Sequence, residues 1–88
     1  MERTVVEKNV VEAIAAILSV YPEHILTWKE REIGEELDSL DFVELLMLIE
    51  VELKIELGGL DVEPEWTVEQ LIDHVYEMHK QQENTHGE

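Results

Sequence analysis

Ser39 is the side chain whose setting in this sequence suggests chemistry. It stands in Asp38-Ser39-Leu40-Asp41, where a charged stretch gives way to the most regular apolar run of the chain, LDFVELLMLIEVELKIEL from Leu40 to Leu57. Helical spacing in that run puts the hydroxyl at the first turn of a helix, with Asp38 as N-cap. A hydroxyl placed there is both exposed and held, which suits covalent attachment of another group. Eight acids (Glu32, Glu35, Glu36, Asp38, Asp41, Glu44, Glu50 and Glu52) and no lysine or arginine lie between Glu32 and Leu53, so the serine sits within an acidic face. His24, His74, His79 and His86 are not spaced to give Ser39 a base, and no glycine turn that could form an oxyanion hole accompanies it. The pattern argues against a hydrolase, and no catalytic residue is expected. His74 and His79, five apart, are poorly spaced for a shared metal and read as surface histidines. No loop has the ligand order of a calcium site, so no metal is expected either.

The elements that must position Ser39 follow from periodicity. Thr4 and Glu7 form a capping box ahead of Val6, Val10, Ile14, Ile17 and Leu18, which predicts a helix from about Val5 to Ser19 ended by Tyr21-Pro22. From there to Leu37 the chain is polar and aperiodic. Ile25, Trp28 and Ile33 look like anchors of a long connection, and Thr27 with Glu30 is set to cap one short turn. On a helical wheel for the central run, Phe42, Leu45, Leu46, Ile49 and Leu53 share the core side. Leu40, Val43, Met47 and Val51 make a second apolar stripe between Asp41, Glu44 and Glu50. Val43 is expected to turn inward, leaving Leu40, Met47 and Val51 as an exposed ridge of the kind that marks an interaction surface. Gly58-Gly59 should stop this helix. Thr67 and Gln70 form a second capping box, with Trp66 and Leu71 as its hydrophobic staple, ahead of a last helix whose core face is Leu71, Ile72, Val75 and Met78. Residues 1–80 then make one domain, and 81–88 a frayed tail.

Composition narrows the function classes. Eighty-eight residues, 44% of them apolar, can bury one small core, and the absence of cysteine removes disulfides and thiolate metal sites. The longest run of large apolar residues, Leu45 to Ile49, is far short of the roughly 20 residues that span a bilayer. Twenty-two acids against six bases give a net charge of −16, which repels nucleic acid and anionic lipid and draws basic protein surfaces. A cytoplasmic monomer with protein partners, and with neither nucleic acid nor membrane as partner, is the expectation.

With this order of elements in place, the chain resembles the acyl carrier protein family, which includes peptidyl and aminoacyl carrier domains. The likeness spans roughly Val5 to Tyr76 and is sharpest in DSLDFVELLMLIEVEL, where D-S-L is followed by an acid and V-E-L at the family's offset. It implies an all-α fold, a small antiparallel bundle of three to four helices. It also implies that Ser39 accepts 4′-phosphopantetheine from coenzyme A, whose thiol carries acyl or polyketide-type groups as thioesters, as in fatty acid biosynthesis. The implied partners are a phosphopantetheinyl transferase, acyl- or aminoacyl-loading ligases, and synthases with basic docking surfaces. Asp38, Leu40, Asp41, Glu44, Met47 and Glu50 would be the contacts. The chain departs from the pattern at Glu36, where glycine is common, at Phe42, where a small or polar residue is common, at Val51, where an acid is common, and at Gly58-Gly59. Those departures imply a specialised carrier. Amino-acid cargo shares the same serine and helix, and an unmodified acidic helical adaptor would keep the fold alone.

Overall fold

The computed structural model describes residues 2–27, 29–57 and 62–86. Within them the chain forms five helices and no strand, the only β-type pairing being an isolated antiparallel bridge between Glu32 and Thr67. Trp28 and Gly58-Gly59, read above as a loop anchor and a helix stop, lie outside the described residues.

The first helix, α1 (Arg3–Leu18), is the central strut. Val6, Val10 and Ile14 lie four apart on one face and are fully buried, and Val11, Ala13 and Ala15 widen that face, so neighbours can pack on several sides. Ser19 ends the helix in the left-handed region (φ 59°), its N–H turned back to the last carbonyls. Pro22 then opens a short helix, α2 (Pro22–Leu26), which buries Ile25 against α1. Proline suits that first position because its missing N–H would have had no partner there. Thr27 closes α2, its hydroxyl donating to the His24 carbonyl at 2.7 Å.

The crossing segment is fixed by backbone pairing that no side-chain pattern announces. Glu69 N–H donates to the Lys29 carbonyl (2.9 Å) and Val68 N–H to that of Arg31 (3.2 Å). Ile33 N–H donates to the Trp66 carbonyl (2.8 Å) and Gly34 N–H to that of Pro64 (2.8 Å). This seam carries the chain into α3 (Ile33–Glu36), where Ile33 is buried. Gly34 is required here by close approach, since a Cβ would lie 2.9 Å from the Cβ of Pro64. The central helix, α4 (Ser39–Leu53), packs on α1 and α3 through Leu45, Leu46, Ile49 and Leu53, with Phe42 half-buried beside them. The last helix is α5 (Val68–His86), which meets α1 and buries Val68, Leu71, Ile72 and Val75. Its start is the reciprocal box expected, with Gln70 N–H on Thr67 Oγ1 (3.1 Å) and Thr67 N–H on Gln70 Oε1 (2.8 Å). The buried side chains form one cluster, with Trp66, Tyr76 and Met78 packed at its edge.

Several expectations are corrected. Thr4 and Glu7 do not cap α1: the helix begins at Arg3 behind Glu2, and Glu7 is taken up by Arg3 (3.4 Å) and Lys29 (3.2 Å). The helix α4 ends at Leu53, before the double glycine, because Lys54 adopts the left-handed conformation (φ 57°). The apolar pattern nevertheless continues, because the turned chain buries Ile55 and Leu57. Helix α5 runs past Lys80, where fraying was expected, and Gln82 ties it to the segment after α4 by accepting from Glu56 N–H (2.9 Å) and donating to the Glu56 carbonyl (2.6 Å). His79 is buried, and the Nε2 of His74 is enclosed without a hydrogen-bond partner while its ring meets Trp66 edge-on at 5.1 Å, so neither is a surface histidine.

Candidate functional site

Ser39 is exposed at the first position of α4, one residue beyond a cap and two beyond an anchor. Leu37 is buried, and its N–H on the Ile33 carbonyl (3.0 Å) fixes the approach of the chain. Asp38 adopts the extended backbone of an N-cap and its Oδ1 accepts from Asp41 N–H at 2.9 Å, which satisfies one of the free amides of the first turn. The hydroxyl that follows is therefore positioned by two neighbours with no structural duty of its own to perform. Beside it opens a cleft of about 280 Å3, walled by Gly34, Leu37, Phe42 and Pro64, so the seam between α3 and the segment before α5 forms one rim of the site.

The other candidate residues sort into three groups. Leu40, Glu44 and Met47 share the outer face of α4, and Leu40 and Met47 are 81% and 59% exposed. Val51 (73% exposed) continues this ridge as expected, whereas Val43 (54%) does not turn inward but joins it. Together with Leu48 these side chains line an apolar groove of about 410 Å3. Asp41 sits with Asp38 at the helix start. Glu50 is half-buried, and its carboxylate accepts from Leu57 N–H (2.9 Å), so it also latches the chain that turns back after α4. The sequence places Val43 in this stripe, but periodicity alone does not decide whether a residue at the stripe's edge turns inward, and here it stays exposed. Among the described residues the acids here show no ion pair with a base, save that Arg31 pairs with Glu36 (3.0 Å) just ahead of the site.

Fold and site together define a small helical domain that presents one held hydroxyl beside an acidic, partly apolar helix face. Over 75 residues the chain is 39% identical to the acyl carrier protein of Buchnera aphidicola subsp. Schizaphis graminum (strain Sg), a match that covers 85% of this chain and 95% of that protein. No family model and no solved structure matches the chain. The relationship spans nearly the whole of both proteins, and the chain belongs to the acyl carrier protein family. Its role is that of a carrier protein. Among the described residues no helix is long and apolar enough to cross a membrane.

Proposed function

We propose that Ser39 bears 4′-phosphopantetheine and that the chain presents thioester-bound acyl or polyketide-type intermediates to biosynthetic enzymes. The observation that carries this reading is the exposed hydroxyl at the first position of α4, held between the buried Leu37 and the capping Asp38 and opening onto a cleft. That arrangement fits the group: the oxygen can be reached by a transferase, its phosphate would lie at the positive end of the α4 dipole, and the cleft leaves room beside the attachment point. When bound, the arm supplies a thiol on which an acyl group is held as a thioester.

The chain's own residues position the hydroxyl and recruit enzymes. Leu40 and Met47 offer apolar contact on α4, and Asp38, Asp41, Glu44 and Glu50 surround it with negative charge. A basic docking surface on a transferase, loading ligase or synthase is steered to this face. Such attraction speeds encounter and weakens with salt, which suits a shuttle that must leave each enzyme. Ser39→Ala tests the reading directly. The variant should keep the helical circular dichroism of the wild type and take up no phosphopantetheinyl group from coenzyme A. Uptake equal to the wild type would overturn the assignment.

A further inference from the structure

Sulfur occurs in this chain only as thioether, in Met1, Met47 and Met78, since there is no cysteine. Of the two methionines within the described residues, Met78 is packed at the edge of the core, whereas Met47 stands 59% exposed in the middle of the ridge on α4. Leu40 and Val43 precede it and Val51 follows one turn later, and all three are aliphatic and inert to mild oxidants. The ridge thus carries a single oxidisable side chain, at its centre. Met47 lines the outer groove and also the neighbouring hollow formed with Phe42, Leu46 and Glu50, so one atom added to its sulfur alters both.

We propose that Met47 is a site of reversible oxidation by neutral hydroperoxides, and that the sulfoxide formed there weakens docking on α4; the second half rests on the reading of that face given above. The sulfur lone pair attacks one oxygen of hydrogen peroxide and the O–O bond breaks as the S–O bond forms. The proton of the transferred oxygen leaves with the departing hydroxide as water. Sulfur gives up two electrons and the peroxide accepts them. Charge selects the oxidant, because a net charge of −16 repels hypochlorite and other anions but not an uncharged peroxide. The product is polar and chiral where the thioether was apolar and adaptable. A partner closing over the ridge must strip water from the S–O dipole, to which Leu40, Val43 and Val51 offer no donor and the flanking Glu44 and Glu50 carboxylates only further acceptors. Encounter steered by charge therefore persists while the docked state is weakened. A methionine sulfoxide reductase, taking two electrons from a dithiol, removes the oxygen as water and restores the thioether.

The test treats the whole chain with graded hydrogen peroxide, quenches with catalase, and assigns the oxygen gained by peptide mapping. Met47 should be oxidised ahead of Met78, and the reverse order would overturn the site. Each sample is then offered to a phosphopantetheinyl transferase with coenzyme A. The kcat/KM for the chain should fall severalfold in proportion to the fraction oxidised at Met47, with the helical circular dichroism unchanged. An unchanged kcat/KM with Met47 fully oxidised would overturn the effect on docking. Treatment with methionine sulfoxide reductases and a dithiol should restore the rate, and a loss that persists once the thioether is regained would contradict a reversible site. Met47→Leu, whatever its own rate, should give the same rate before and after peroxide; a severalfold fall in that variant would place the effect elsewhere. Failure of the untreated chain to be converted would bring down the reading of Ser39 and with it the effect on docking, while the order of oxidation decides the chemistry at Met47 independently.

Discussion

Asp38 spends its side chain on the Asp41 amide, and Ser39 is left exposed because its neighbour does the capping. Asp38→Ala should therefore destabilise the fold by about 1 kcal/mol, within the 0.5–2 kcal/mol usual for a lost cap, and Asp38→Asn by much less. Urea denaturation followed by circular dichroism measures both. A loss equal for alanine and asparagine would mean that charge, and not the hydrogen bond, is what the position supplies. This pair was readable from sequence because capping is local: the donor, the acceptor and the start of the apolar period all fall within four residues. The same signature at Thr4 and Glu7 misled, since Glu7 is recruited by Arg3 and by the distant Lys29. Local chemistry specifies a cap only where no remote charge competes for it. His79 carries the same lesson, its burial being decided by what packs over α5.

Among the elements, the three long helices announced themselves by period, whereas α2 and α3, five and four residues long, contain too few turns to show one. They exist because Ile25 and Ile33 are buried and because the crossing segment pairs with residues 64–69. That seam depends on Gly34. Gly34→Ala places a methyl group within 2.9 Å of the Pro64 Cβ, against backbone that is itself hydrogen-bonded to Gly34. The expected cost is about 1–3 kcal/mol, the range for overpacking. A thermal melt read beside amide exchange at Ile33 and Gly34 checks it. Unchanged stability and unchanged exchange would show that the seam gives way easily. The end of α4 was misplaced for a related reason: Ile55 and Leu57 keep the apolar rhythm of a helix while being buried by a turn.

Across the whole molecule charge is divided by location. Arg3 and Lys29 gather Glu7, Glu69 and Asp73 where the start of α1, the crossing segment and the start of α5 meet, while the face around Ser39 is left acidic. Lys29 is raised above its ordinary 10.5 chiefly by its hydrogen bond to Glu7, and Arg3 is raised chiefly by its bond to Asp73. The folded state thus holds the Lys29 proton more tightly than the unfolded chain does. Its contribution is complete below the ordinary lysine value and is lost as pH rises through the raised one. The difference in melting temperature between wild type and Lys29→Gln should therefore shrink as pH climbs above about 10.5, and a constant difference would count against the ion pair. On the acidic face of α4, Glu44→Lys should slow association with a phosphopantetheinyl transferase severalfold at low salt, and the gap should close as the Debye length falls below about 10 Å at 0.1 M salt and above. Stopped-flow kinetics across a salt series measures this, and equal rates at low salt would remove Glu44 from the docking face. The most direct measurement is the intact mass of the purified chain after incubation with coenzyme A, magnesium and its cognate transferase, followed by peptide mapping. The account predicts a gain of one phosphopantetheinyl group, located on the peptide containing Ser39. No gain in a folded sample, or a gain on another residue, would contradict it.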